Sequence, residues 1–550
     1  MADGSVPQRA WPFPAPQPSS LRAGEIIVDL FAGGGGASEG LKQALGRDPD
    51  LAYNHDALAI GMHAANHPLT SHHREDIWHA DPRVDVAGRK VGWFHASPDC
   101  THFSQAKGGQ PRNRRIRALT WVVLKWVGQL DRVGLAPRII SLENVWQILT
   151  WGPLVAKRDK ATGHVLKMDG TVAAPGERVP VELQQLVPDK RHSGRTWRQF
   201  VGALQGLGYA VEWRKLVASD YGAGTSRERL FLIARRDGDP IVWPAPTHGK
   251  APGLQPLVTA ANCIDFRDLG RSIFDRPRPL ADATMRRIAK GVVKHVLQAQ
   301  EPFFLTEFAN ASNGRTWSAG EPLRTQCADV KGGHFAMIAP VMVQAAYGEG
   351  RPGGVQRWGS GSRDVRKPIG TVTASGCGGQ AMMAAFLEQA CSGYYDGAGR
   401  DLREPAPTIC AKGSIQRLVT ADMAQLSPEA EAGALRVAAF LINYYGNGTA
   451  LDLRDPLDTV TTRDRMALVT VTIGGTPYVI VDIGLRMLKP AELFRAQGFP
   501  RDYVIDRTAD GRPITTSAAV RMVGNSVSPP PLRALAMANL DPAVELRAAA

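Results

Sequence analysis

Cysteine is scarce and spaced for neither metal nor disulfide chemistry: the six residues, Cys100, Cys263, Cys327, Cys377, Cys391 and Cys410, contain no CxxC pair. That scatter argues against a zinc site and a disulfide framework, so each thiol is judged alone. No stretch approaches the roughly 18 uninterrupted apolar residues of a membrane span. The start, MADGSVPQRAWPFPAPQPSS, holds five prolines and no apolar signal core. With 44% hydrophobic and 21% charged residues the composition is that of a globular protein, which excludes wholesale disorder. These absences predict a cytoplasmic chain with no membrane partner and no metal. What is present in excess is positive charge: 65 Lys+Arg against 52 Asp+Glu leave a formal +13 over 550 residues. That balance fits a polyanionic partner, although a solvated basic surface looks the same. The length leaves room for about two or three domains of roughly 100–200 residues.

After the Pro-rich tail, residues 1–22, which reads as disordered or as a docking arm, EIIVDLF from Glu25 is a short β-branched run typical of a buried parallel strand. Further apolar runs appear at LAYNHDA, GWFHASP, PRIISLEN, YAVEWRKL and RLFLIARR, separated by helix-compatible segments. Strands alternating with helices predict an α/β fold with a doubly wound, mostly parallel sheet across residues 23–250. Between about 151 and 196 the pattern breaks into charged, turn-rich sequence, read as an inserted surface hairpin. From about 251 to 483 the chain turns to Gly, Thr and short strands, with a degenerate Pro-x-x-Thr repeat at Pro322, Pro368, Pro405 and Pro456. The separations of 46, 37 and 51 are too irregular for a solenoid and suit β-hairpins in a second, β-rich domain. Residues 484–545 then return to the first domain.

Several segments carry chemistry. VDLFAGGGGASEG sets Gly33, Gly34, Gly35 and Gly36 between a strand and a helix, where the backbone comes close to a nucleotide-like ligand and exposes amide donors. Tight helix–strand packing accounts for such a turn as readily. Asp76, in REDI after the apparent second strand, could accept from an adenine amino group. In ASPDCTHFSQAKGG, Cys100 follows a strand-like run and precedes a basic stretch holding Lys107, Arg112, Arg114, Arg115, Arg117, Lys125 and Arg132 against the single acid Asp131. Cations favour the thiolate, the nucleophilic form. IISLENV ends in Glu143 and Asn144, an acid and an amide that could position it. Arg227 and Arg229, two apart on an incipient strand, share a face and could present a fork of donors to a base or phosphate. Near the end, RMVGNSVSPP reads as a tight turn opening a helix.

Taken in order, DLFAGGGGAS, SPDCTHFS, ENV, RER, RAQGFP and GNSVSPP resemble the ordered motifs of the DNA cytosine carbon-5 methyltransferases, over residues 25–235 and 484–532. The resemblance implies a Rossmann-like methyltransferase fold with a target-recognition domain in the long stretch between. It implies Cys100 as nucleophile, Glu143 as the acid on the ring, Asn144 as its orienting neighbour, and Arg227 and Arg229 as donors to the base. S-adenosylmethionine is the implied cofactor, held by Asp29, Phe31, Gly33 to Gly36, Asn54, Asp56, Asp76, Asn525 and Ser526. The partner is double-stranded DNA, with the cytosine flipped out of the stack and the loop carrying Ser104, Lys107, Arg112, Arg114 and Arg115 closing on the strand. A monomer from a prokaryotic or phage restriction–modification setting is expected.

Four positions depart from the family pattern: Asp99 where Pro precedes the nucleophile, Thr101 where Gln follows it, Asn54 where an acid holds the ribose, and Thr225 where Gln precedes RER. A tRNA substrate and a catalytically silent DNA-binding paralogue are the alternatives. The repeat-bearing domain argues against the first, and the retention of Cys100, Glu143, Arg227 and Arg229 against the second. Amino-group methylation is excluded, because no [DNS]PP[YFW] tetrad is present. Base readout is expected on Gly-rich turns of the repeats, near Lys331, Gln380, Arg417 and Arg463.

Overall fold

The computed structural model describes residues 19–100, 102–103, 113–265, 271–274, 276–280 and 482–542, with scattered positions and strand backbones between 285 and 479. Strand β1 (Glu25–Leu30) leads through the glycine turn into helix α1 (Gly36–Leu45). Next come β2 (Leu51–Tyr53), α2 (Ala57–Asn66), β3 (Ser71–His73), β4 (Lys90–Ala96), α3 (Trp121–Asp131) and β5 (Ile139–Asn144). After an inserted pair, β6 (Leu154–Ala156) and β7 (Leu186–Pro188), the chain continues with α4 (Arg195–Gly206), β8 (Ala210–Val217) and β9 (Glu228–Arg235). Helices α5 (Pro490–Gln497), α6 (Thr516–Asn525) and α7 (Pro529–Asn539) belong to the returning segment.

The main sheet runs β3-β2-β1-β4-β5-β9-β8. From β3 to β5 the neighbours pair parallel; β9 alone runs the other way, antiparallel to both β5 and β8. The central strands are apolar on both sides because helices cover both faces. In β1, Ile26, Val28 and Leu30 join a core with α3 and α4, whereas Ile27 points to the opposite core with α1 and α7. β9 divides likewise, Leu230, Leu232 and Ala234 against Phe231 and Ile233. The alternation is the period of two of a pleated strand, here separating two buried faces and not core from solvent. A buried two-pronged ion pair, Arg138 Nε and Nη2 to Glu25 at 2.7 Å each, ties the start of β1 to the start of β5.

The insertion is a ribbon: β6 and β7 pair antiparallel, as the turn-rich sequence predicts. One strand escapes sequence reading, β3, whose SHH is short and polar; Asp76 therefore follows the third strand, not the second. Ser19–Ser20 pairs antiparallel with Asp541–Pro542, so ordered chain begins ahead of residue 23. A β-rich second unit is present: Ala339–Gln344 and Gln416–Ala421 both pair antiparallel with Ala381–Gln389. The side chains of the repeats, including Lys331, Gln380, Arg417 and Arg463, lie outside the described residues. Among the described residues no helix is long and apolar enough to cross a membrane, and no cluster of His, Cys, Asp and Glu could hold a metal.

Candidate active site

Parallel strands deliver their carboxyl ends to one edge of the sheet, the edge where open α/β sheets bind ligands. β1 ends there in the glycine turn. Phe31 has φ 63°, a left-handed conformation costly for an aromatic, and Ser97, just beyond β4, pins it by donating from N to Leu30 O (3.2 Å) and from Oγ to Phe31 O (3.3 Å). Gly35 also has positive φ, 99°, and a side-chain carbon there would collide with Tyr503 Oη. Tyr503 Oη donates to Gly34 O at 2.7 Å, and at Gly36 a side chain would strike Ser526 Oγ and Val527 O. The returning segment thus closes over the turn.

Behind the turn lies a polar chain that sequence reading missed. Ser38 Oγ donates to Asp29 Oδ2 (2.7 Å), His63 Nε2 meets Ser38 Oγ (2.8 Å), and His63 Nδ1 meets His72 Nε2 (2.8 Å). With the serine proton spent on Asp29, His63 must donate through Nε2 and accept through Nδ1. Burial pushes the Asp29 carboxyl up to about 7 and keeps His63 neutral by holding it well below its ordinary value. Asp29 Oδ1 is buried with no hydrogen-bond partner, an acceptor at the end of the strand that a donor on a ligand would satisfy. That orphan, beside a turn too close-packed for side chains at Gly35 and Gly36, fits a donor group of S-adenosylmethionine.

Ala32 N donates to Tyr53 O, which sets Asn54 beside the turn. Asn54 Oδ1 accepts from Asp56 N at 2.9 Å, so its amide nitrogen is what it can offer a ligand. Asp56 is committed elsewhere: it caps α2 by accepting from Leu58 N and Ala59 N and pairs with Arg521 at 3.2 Å. Asp76 Oδ1 accepts from Trp78 N.

Beside the turn, the ends of β4, β5 and β9 assemble the second half. Glu143 is 6% exposed, with Arg229 Nε at 3.2 Å and Arg227 Nη2 at 3.9 Å from its Oε1. Neither approach is aligned as a hydrogen bond, and Glu143 Oε1 and Arg229 Nε lack partners of good geometry. Arg229 lies in β9 while Arg227 precedes its first residue, yet both reach the same carboxylate. Burial raises the Glu143 pKa and the two arginines oppose it. Asn144 Nδ2 donates to Pro98 O (2.9 Å) and its Oδ1 accepts from Val145 N, so the residue after Glu143 fixes the loop leading to Cys100. The Cys100 thiol is pushed up to about 11, by burial first, with Arg229 opposing and Glu143 and Asp99 adding to the rise. Arg227 Nη1 donates to Gly524 O at 3.2 Å, joining this half to the turn that carries Asn525 and Ser526.

Past Cys100 the chain is anchored by Arg117, buried, which donates to His102 O and Gly152 O and lies 4.4 Å over the Phe103 ring. Arg114 is exposed; Ser104, Lys107, Arg112 and the side chain of Arg115 lie outside the described residues. The model of the C-5 cytosine-specific DNA methylases matches residues 26–152, 185–279 and 421–539, well over half of the chain. The chain belongs to that family.

Among curated relatives, the methylase is 26% identical over 234 residues to Type II methyltransferase M.AgeI of Thalassovita gelatinovora, covering 41% of this chain and 44% of that one. It is 25% identical over 232 residues to Type II methyltransferase M.AquIA of a Picosynechococcus, covering 41% and 77%. A shorter stretch of 73 residues is 41% identical to Type II methyltransferase M.BspRI of Lysinibacillus sphaericus, covering 13% and 17%. The chain thus spans less than half the length of the first of these relatives. Family membership agrees with the resemblance in the ordered motifs, and it brings a methyl donor and a DNA substrate as the family's common chemistry. Tyr503 is the functional candidate that the motifs passed over; its one signal is its place three residues beyond RAQGFP.

Proposed function

We propose that this protein transfers a methyl group to carbon 5 of cytosine at a specific sequence in double-stranded DNA, acting as a cytoplasmic monomer. The observation that carries the reading is the buried Glu143, with Arg229 Nε at 3.2 Å and Arg227 Nη2 at 3.9 Å from its carboxylate, tied through Asn144 to the loop of Cys100. S-adenosylmethionine, when bound, supplies the methyl group. Asp29, Phe31, Gly33 to Gly36, Asn54, Asp76, Asn525 and Ser526 would hold it, with Asp56 acting through Asn54.

The Cys100 sulfur forms a bond to carbon 6 of the flipped cytosine, and the ring's electron density moves toward nitrogen 3. Glu143, whose pKa burial raises against the opposing charge of Arg229 and Arg227, hydrogen-bonds there, and the two arginines lie beside its carboxyl. Once carbon 5 carries the new group, its proton leaves to water and the carbon–sulfur bond breaks, which restores Cys100 and the aromatic ring. Burial first, then Glu143 and Asp99, raise the thiol's pKa, and the Cys100 proton passes to water as the sulfur attacks. Residues 251–483 are the proposed target-recognition domain, because the groups at the sheet edge serve any cytosine and leave few side chains for neighbouring bases.

Bisulfite sequencing of DNA from an expressing host tests this directly. Protected cytosines at one recurring sequence are expected; uniformly converted DNA would remove the reading. Methyl transfer with duplex and tRNA in competition checks the substrate, the duplex being the acceptor expected.

A further inference from the structure

The insertion rises from the active-site edge. β5 ends in Glu143 and Asn144, a 3-10 turn (Trp146–Thr150) follows, and the ribbon leaves after Gly152 and returns at Asp189. The family match skips residues 153–184. The hydrogen bonds of this added piece stay within it, for example Lys157 N to Gln185 O and Met168 N to Leu183 O, and Asp189 N closes its foot on Pro153 O at 3.0 Å. Its stem therefore holds the returning chain, Lys190 to Arg198, against Gly152, where a side chain would collide with His192 O.

That returning knuckle lies three contacts from Cys100. Phe103 N donates to Cys100 O, the Phe103 ring packs edge-on against Trp151 with centroids 5.9 Å apart, and Trp151 O accepts from Thr196 N and Trp197 N. On it Lys190, Arg191, Arg195 and Arg198 are all exposed, Arg191 with 86% of its side chain. The acid at hand, Asp189, is shared between Arg191 (3.6 Å) and His192 (2.9 Å). Lys190, Arg195 and Arg198 have no acidic partner among the described residues. Two of these cations lie in the first turn of α4, which contains no acid, although the helix dipole disfavours positive charge there. Fold stability does not explain that placement, and a polyanion along the edge does.

We infer that Lys190, Arg191, Arg195 and Arg198 form a second grip on the phosphate backbone of the duplex, outside the pocket that takes the flipped base, with the inserted ribbon as its buttress. This rests on the reading of duplex DNA as substrate. The grip carries no sequence information; it sets how tightly and how salt-sensitively the duplex is held.

The test is the full chain carrying Arg191→Gln, Arg195→Gln and Arg198→Gln, compared with a charge-matched control carrying Arg47→Gln, Arg83→Gln and Lys90→Gln, all exposed and away from both the knuckle and the ribbon. Affinity for a 30-base-pair duplex is followed from 50 to 200 mM salt. The knuckle variant is expected to bind at least about tenfold more weakly at low salt and to lose roughly 0.9 from the log–log salt slope per phosphate contact removed, about 2–3 in all. Its single-turnover rate at saturating DNA stays within about twofold of the parent, and the control follows the parent. A knuckle variant indistinguishable from the control overturns the inference, as does tRNA that displaces the duplex at equal concentration. A parent that leaves no methyl mark yet binds duplex through these arginines would sink the methylation reading alone; one that binds no duplex sinks both.

Discussion

Around the glycine turn the chain's own groups are already bonded to one another: Tyr503 to Gly34, Ser97 to Leu30 and Phe31, Ser38 to Asp29, Asp56 to the start of α2. Around Cys100 the opposite holds. Glu143 and its two arginines are close enough to feel each other's charge but not oriented to bond one another, and the thiol is half-buried with its pKa pushed up to about 11 by burial first. The glycine turn is thus held by hydrogen bonds, and the edge beside Cys100 by proximity of charge.

Breaking the base half should have the largest effect. Cys100→Ser is expected to abolish the covalent adduct with duplex DNA containing 5-fluorocytosine, since fluorine cannot leave as a proton does; denaturing gels read the shift, and an adduct in the variant would reassign the nucleophile. Glu143→Gln should lower the single-turnover rate by roughly two to four powers of ten with DNA affinity retained. A smaller effect concerns the thiol itself. Because its pKa lies near 11, above the ordinary thiol value, the thiolate is a minor species at neutral pH, and alkylation of Cys100 by iodoacetamide should rise about tenfold per pH unit from pH 7 until it levels near that value. A plateau at pH 8 would show that Arg229 and Arg227 outweigh burial.

The cofactor half, being stapled, should yield in smaller steps. Tyr503→Phe removes one hydrogen bond to Gly34 O, about 0.5–1.5 kcal/mol, and should raise KM for S-adenosylmethionine roughly two- to tenfold while kcat holds. Equal falls in kcat and kcat/KM would place Tyr503 in the chemistry instead. Smallest is Asn54→Glu, expected to tighten S-adenosylmethionine a few-fold by calorimetry, because a charge-assisted bond replaces a neutral one. A looser variant would mean that repulsion from Asp56 dominates.

The strands that build the sheet are legible wherever both faces are buried, since β1, β4, β5 and β9 carry consecutive apolar residues that fill both faces. β3 is not, because a three-residue edge strand of serine and histidine has neither apolar period nor β-branched residues. Cys100, Glu143, Asn144 and the arginine pair stand out in the sequence by their order in the chain, and the fold brings them to one edge. Tyr503 and the Asp29–Ser38–His63–His72 chain escaped for a different reason. Their meaning is pairwise, Tyr503 lying 469 residues from the glycine it holds, and no local spacing records such a partner. Asp56 shows the converse: an acid near the motif reads as a ligand until its cap on α2 is seen.

The closure of the glycine turn by Tyr503, Ser526 and Val527 also sets when this protein becomes competent. On a ribosome, α1 is made early, yet the residues that brace Gly34, Gly35 and Gly36 are translated some 470–490 residues later. A nascent chain carrying Cys100, Glu143 and both arginines therefore still lacks the braces of its glycine turn, which reaches its final form only when the returning segment packs on it.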